Sequence, residues 1–236
     1  MAIAYQDAVT AYATGASLTF TPTAGANLAG RVGVVVIGYW TSSAPVTPPS
    51  GWTLLDSNTI SSNAGAVYYR VFGTDPYTPV TEPASYAWTF GGSLDEQVSA
   101  MVIYSGVNTT TPVQVYSKGA TANDTPTATG VTVSSQPAQL LFLLGSNSSG
   151  SAQYTVTPPE NYTERAERHG ASYGGAYIAD RYVTATGATG DVAASLASAA
   201  SWVSFLVALS EGAAAAADVP VALLRRRPAI NIDSWR

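Results

Sequence analysis

At 236 residues, the chain is long enough for one large β domain or two small ones. Hydrophobic residues make up 46% of it and charged residues only 11%, so general disorder is excluded and the surface must be built of Ser, Thr, Asn, Gly and Ala. There is no cysteine, which excludes disulfides, thiolate metal sites and cysteine nucleophiles. The net charge of −5 divides unevenly: residues 1–211 carry 6 basic and 13 acidic side chains, and residues 212–236 carry 4 arginines and 2 aspartates. An acidic body repels phosphate, so no nucleic-acid partner is expected.

Residues 1–13 have no basic n-region and no sustained apolar run, and they include Asp7, so no signal peptide is read there. Residues 1–30 alternate small, polar and apolar side chains. This predicts one or two lead-in strands with Tyr12, Leu18 and Phe20 inward. Residues 31–40 (R-V-G-V-V-V-I-G-Y-W) are a nearly unbroken apolar run, the pattern of a central strand covered on both faces. The longest apolar runs, 32–40 and 202–209, are of strand length, and no membrane partner is expected. Residues 41–51 form a loop with three prolines, which cannot donate to a ladder.

Strands are predicted at 52–56, 67–72, 86–90 and 97–104, with turns at 63–65 and Gly91-Gly92. Residues 106–112 are a break, 113–116 a short strand, and the polar stretch 118–129 a crossover. Further strands follow at 130–133, 139–144, 162–168, 176–184, 191–196 and 201–209. The second series is a weaker copy of the first, displaced by 110 residues: Thr47-Pro48-Pro49 matches Thr157-Pro158-Pro159, Trp52 falls on Tyr162, and Gly65-Ala66 on Gly175-Ala176. Leu140 to Leu144 takes the place of Val32 to Val36, and 202–210 parallels 98–105. The expected fold is an all-β, antiparallel, jelly-roll-like β-sandwich in residues 1–211, built from two related halves at 28–117 and 130–211. An extended C-terminal arm follows at 212–236.

Few residues suggest chemistry. His169, the only histidine, lies in R-A-E-R-H-G and reads as an exposed loop residue, since no G-x-S-x-G elbow accompanies it. Asp95-Glu96 reads as a solvated turn. Glu164 and Glu167 alternate with Arg165 and Arg168 as surface ion pairs do. Asn123-Asp124 and Asp180 are isolated, so no metal site and no cofactor is expected. Trp40, Trp52, Trp88 and Trp202 read as core. Tyr77, Tyr154 and Tyr173 fall in loops and are candidates for a contact surface that stacks on a glycan. In the tail, Arg225, Arg226 and Arg227 with Ile230, Ile232 and Trp235 read as a docking arm: arginines for a partner's carboxylates, apolar residues for its groove.

The series P-P-S-G-W-T-L-L, Y-Y-R-V-F, E-P-A-S-Y-A-W-T-F and M-V-I-Y-S-G-V-N-T-T-T-P-V is followed by P-P-E-N-Y-T-E-R, Y-I-A-D-R-Y-V, G-A-T-G-D and W-V-S-F-L-V-A-L. Together these resemble a family of tandem-motif β-sandwich structural proteins of tailed bacteriophages, over residues 28–209. The resemblance implies a non-enzymatic virion protein of head-decoration, minor tail or tail-fibre type, assembled in the host cytoplasm. It implies other virion proteins as partners, the major capsid protein or tail proteins, and a homo-oligomer. The arm suits attachment to a capsid lattice; the alternative is a tail module that binds host-surface glycan. The family supplies no catalytic residues.

Overall fold

The repeated T-P-P motif shows how sequence sets local structure here. In the computed structural model, which describes residues 2–22, 28–40, 46–73, 82–135, 137–148, 156–171 and 174–212, the Trp52 N–H donates to Pro49 O at 3.3 Å and the Tyr162 N–H to Pro159 O at 3.0 Å. The residue before each aromatic has positive φ, 82° at Gly51 and 64° at Asn161. This is the type II pattern, which calls for Gly or Asn at that position. Gly51→Ala is therefore expected to cost about 1–2 kcal/mol, and Asn161→Gly almost nothing. Urea denaturation of the two variants checks this; equal losses at both positions would remove the turn argument.

The strands, in chain order, are β1 (Ala4–Phe20), β2 (Val32–Trp40), β3 (Val46–Thr47), β4 (Thr53–Ile60), β5 (Asn63–Val71) and β6 (Tyr86–Ser105) in the first half. The second half holds β7 (Val113–Asn123), β8 (Thr127–Ala128), β9 (Thr132–Val133), β10 (Ala138–Ser148), β11 (Val156–Thr157), β12 (Thr163–His169) and β13 (Gly175–Val183). It closes with β14 (Gly187–Ala188), β15 (Val192–Ala193), β16 (Ser195–Leu196) and β17 (Ala200–Ser210). All pairings are antiparallel. The first half makes one sheet in the order β1-β6-β2-β5-β4, and the second makes β7-β17-β10-β13-β12. Strand for strand these are the same sheet, so the repeat begins at β1 and β7, earlier in each half than residues 28 and 130.

The two sheets pack face to face. Val34, Val36, Val67, Val102 and Tyr104 of the first meet Leu141, Leu143, Ile178, Phe205 and Val207 of the second in a shared buried core. β1 lies against β12, and β4 against β7. Each sheet has a second core on its outer face. In the first half, Phe20, Trp52, Tyr86 and Trp88 gather beneath the outer ends of β1 and β6, where β3 pairs. In the second, Leu140, Phe142, Tyr177 and Trp202 lie beneath the ribbons β8–β15, β9–β14 and β11–β16. The architecture is thus an all-β, jelly-roll-like antiparallel sandwich whose inner sheets are buried on both faces. That explains the unbroken apolar run of β2.

Several sequence readings change. Residues 63–65 open β5 instead of turning; the hairpin turn is Ser61-Ser62, with φ 55° at Ser61. Gly91-Gly92 is no turn either: β6 runs through it from the outer layer into the inner sheet, and β1 pairs on both sides of it, with Thr89 opposite Ser17 and Leu94 opposite Gly15 across an irregularity in the ladder. The 118–129 stretch is not a crossover: it continues β7 and adds β8. Edge strands alternate small and polar residues and so read as loop. Leu18, Phe20, Trp52, Trp88 and Trp202 are buried as expected; Tyr12 and Trp40 are half-buried. Glu96 is no solvated turn residue but 3% exposed, where it accepts from the Gly174 N–H at 2.7 Å. His169 belongs to β12, its side chain 3.1 Å from Glu167.

The repeat also slips. Thr53 pairs with Tyr69, and Thr163 pairs with Asp180, so β13 lies one residue further along than the offset relating Thr53 to Thr163. Gly65 therefore corresponds to Ala176, not Gly175; both face the shared core. In the same way Val36 corresponds to Leu143, not Leu144, since each lies inward. One residue of slip turns every side chain to the other face.

Candidate functional site

The slip identifies the equivalent of Arg70. On β5, Arg70 pairs with Gly33; on β13, Arg181 pairs with Leu140. The corrected register makes Arg70 and Arg181 counterparts on the outer faces of the two halves. Their surroundings differ.

In the first half the position is sealed. Arg70 is 1% exposed and forms a bidentate pair with Glu82, at 2.9 Å from Nη2 and 3.2 Å from Nε. Its Nη1 donates to Ser50 O at 3.2 Å, and its guanidinium lies 5.9 Å from the ring centres of both Phe72 and Tyr86. Glu82 also accepts from the Gly73 N–H at 2.6 Å and the Tyr86 hydroxyl at 2.5 Å. Burial pushes the Glu82 carboxyl upward, but these donors and the guanidinium charge outweigh it and hold the group below its ordinary value. Burial and the Glu82 carboxylate together push the Tyr86 phenol up. Trp52 packs on Phe72, Tyr86 and Trp88 at centroid distances of 6.0, 5.6 and 5.0 Å. Gly33 makes room for them: a Cβ there would stand 2.8 Å from the Phe72 ring.

In the second half the position is open. Leu140 replaces Gly33 and is buried, Tyr162 replaces Trp52, and Val183 replaces Phe72. The result is a recess of about 570 Å³ lined by Asn161, Tyr162, Arg181, Thr184, Thr189 and Asp191, among others. Small-molecule sites fall in the range of about 300–1,000 Å³. Arg181 is exposed, and among the described residues it has no carboxylate partner. Burial pushes the Tyr162 phenol up to about 12, the Arg181 charge partly opposing it. The far wall is fixed by two ties: Gly130 N–H donates to Asp191 Oδ1 at 2.8 Å, and Val131 N–H donates to Thr189 Oγ1 at 3.0 Å.

A second recess of about 620 Å³ adjoins the first at the seam between the sheets, sharing Asn161, Arg181 and Tyr182 and adding Tyr5, Arg165 and Asp180. The two make one furrow that bends around the edge of the second half. Its seam end is held by a network of side-chain contacts. Asp180, 2% exposed, accepts from the Tyr104 hydroxyl at 2.5 Å and from Arg165 Nε at 2.8 Å. The Arg165 guanidinium lies 4.5 Å from the Tyr5 ring centre. Arg165 is the extra residue of a bulge between Glu164 and Ala166, matched by Leu55 in β4; bulges re-aim side chains in this way. Arg165 is therefore ion-paired with the buried Asp180 of the neighbouring strand, where the sequence suggested Glu164 or Glu167. Tyr5 and Tyr182 are 38% and 41% exposed, and the Tyr182 hydroxyl donates to Glu211 at 2.7 Å.

A shallower recess over β12 holds Glu164, Glu167 and His169. Burial, then the like charge of Glu167, push the Glu164 carboxyl up. Among the described residues no group of three His, Cys, Asp or Glu side chains could hold a metal ion. The Asn123 side chain, weighed above as a ligand, accepts instead from Trp202 Nε1 at 3.1 Å.

All nine residues singled out from the sequence lie outside the described residues: Tyr77, Tyr154 and Tyr173, and Arg225, Arg226, Arg227, Ile230, Ile232 and Trp235 of the arm. The furrow residues Tyr162, Arg181 and Tyr182 were passed over. Their signal was in Y-I-A-D-R-Y-V, which aligns with Y-Y-R-V-F on its arginine only when the offset grows by one residue. Comparison with protein families, curated proteins and solved structures finds no match.

Proposed function

We propose that the chain is a non-enzymatic structural protein of a bacteriophage particle, a capsid-decorating protein attached through residues 213–236. The observation that carries this reading is the way the chain leaves the sandwich. Beyond β17, Glu211 bridges to Val107, and the Gly212 N–H donates to Gly106 O at 2.8 Å. Whatever follows Gly212 is launched from a fixed point on the seam, as a docking arm requires. The buried acids fit a structural role, since Glu82, Glu96 and Asp180 are each spent on internal donors. Deleting residues 213–236 is expected to abolish attachment to particles while leaving the sandwich folded. Quantitative mass spectrometry of purified particles should find a copy number comparable with the major capsid protein. Unchanged attachment of the truncated chain would defeat the arm mechanism, and absence from particles would defeat the virion reading.

A second reading, a tail module that binds host-surface glycan, is favoured by the furrow: exposed tyrosines beside a dense set of hydroxyl, amide and guanidinium groups are the means by which proteins hold sugars.

A further inference from the structure

We infer that the furrow of the second half is a binding site for a carboxylated glycan, with Arg181 receiving the carboxylate. The inference rests on the glycan reading and gives it a place and a ligand class. The first half supplies the template. There Arg70 is saturated by the Glu82 carboxylate, and aromatic faces from Trp52, Phe72 and Tyr86 close around the pair. In the second half the arginine is kept, but no carboxylate meets it among the described residues, and an open recess stands beside it. The missing component of the pair is thus an anion from outside, and planar bidentate recognition of a carboxylate is what a guanidinium does best.

The remaining lining selects a sugar over a peptide. Asn161, Thr184 and Thr186 line the same recess and offer short donors and acceptors suited to ring hydroxyls. Glu160 and Asp191, also in the lining, disfavour a densely anionic ligand but accept from hydroxyls. Half-buried Tyr162 presents a ring inside the recess, and exposed Tyr182 and Tyr5 present rings along its continuation. Aromatic faces spaced along a bent furrow suit a linear chain of several sugar rings. The acidic body contributes no long-range attraction, so recognition depends on the short-range pair at Arg181.

The test uses the full chain, titrated with oligogalacturonate and with oligosaccharides of alternating glucuronic acid and N-acetylglucosamine, each also in its carboxyl-reduced form. Binding is read by calorimetry and by NMR shift perturbation. Saturable binding of at least one carboxylated oligosaccharide is expected, with shifts at Tyr162, Arg181 and Tyr182. Carboxyl reduction and Arg181→Gln should each weaken it at least tenfold, while Arg31→Gln leaves it unchanged; thermal unfolding confirms that the exposed Arg181→Gln variant folds. Equal binding of carboxylated and reduced forms would overturn the assignment of Arg181 while leaving the glycan reading standing. Binding of neither form would sink both. Preference for an acidic peptide of Glu and Tyr over every oligosaccharide would show that the ligand class is wrong.

Discussion

Trp88→Ala is expected to destabilise the protein by about 3–5 kcal/mol, seen as a fall in Tm of roughly 6–20 °C for a chain of this size. Trp88 is fully buried, and its ring meets Phe20, Trp52 and Tyr68 edge-on at centroid distances of 4.8, 5.0 and 6.2 Å. Alanine leaves a cavity that three large rigid rings cannot collapse into, and it forfeits edge-to-face contacts worth about 0.5–1.5 kcal/mol each. Trp88→Phe provides the control. Among the described residues the buried Trp88 Nε1–H has no hydrogen-bond partner, a condition that costs about 1–3 kcal/mol. Phenylalanine removes that donor while keeping a ring, so it should lose much less than alanine. A loss below about 1 kcal/mol for alanine would mean that the outer core of the first half is not packed as described.

The second large effect is at Arg70. Arg70→Ala leaves the Glu82 carboxylate, 6% exposed, with the Gly73 N–H and the Tyr86 hydroxyl as its donors among the described residues. Breaking a buried pair from one side costs about 3–5 kcal/mol. The double variant Arg70→Met with Glu82→Gln leaves no uncompensated charge and should recover most of that loss. The same pair fixes a pH dependence. Glu82 is held below its ordinary value of 4.5, so its stabilising contribution is fully present above 4.5 and is lost as pH falls through the lowered folded value. In Arg70→Ala, burial acts with less opposition and raises the carboxyl, so mild acid should narrow the gap to the wild type. Urea midpoints measured from pH 3 to 7 decide the matter: parallel curves for the two proteins would show that Arg70 does not govern Glu82.

The strands, the duplication and the inward aromatics were legible because period-two alternation and Gly/Pro punctuation are local signals. β2 announced itself by its apolar run, and the T-P-P turns by their prolines. What stayed hidden depends on partners far away in sequence. β7 is an edge strand with Lys118, Gly119 and Thr121 in its middle, so it looks like linker until β17 is found beside it. Gly91-Gly92 looks like a turn until β1 is seen pairing on both sides of it. Buried Glu96 and Asp180 look like surface acids, because desolvation and compensation are both properties of the folded neighbourhood. The furrow was hidden for a further reason. An offset of 110 places Arg70 opposite Asp180, and only the strand ladder shows that β13 has slipped by one residue and that Arg181 is the counterpart.

The position of β17 has a mechanical consequence. It is hydrogen-bonded along its length to β10 on one side and β7 on the other, from Ala200 opposite Asn123 to Ser210 opposite Ala138. Tension on residues beyond Gly212 must first open the clip to Val107 and Gly106. It then loads both ladders at once in shear, and no single edge can be peeled away bond by bond. Resistance to such a pull is set by the barrier to opening rather than by equilibrium stability. A chain held by its C-terminal end is thereby anchored through the most securely bonded strand of its second half.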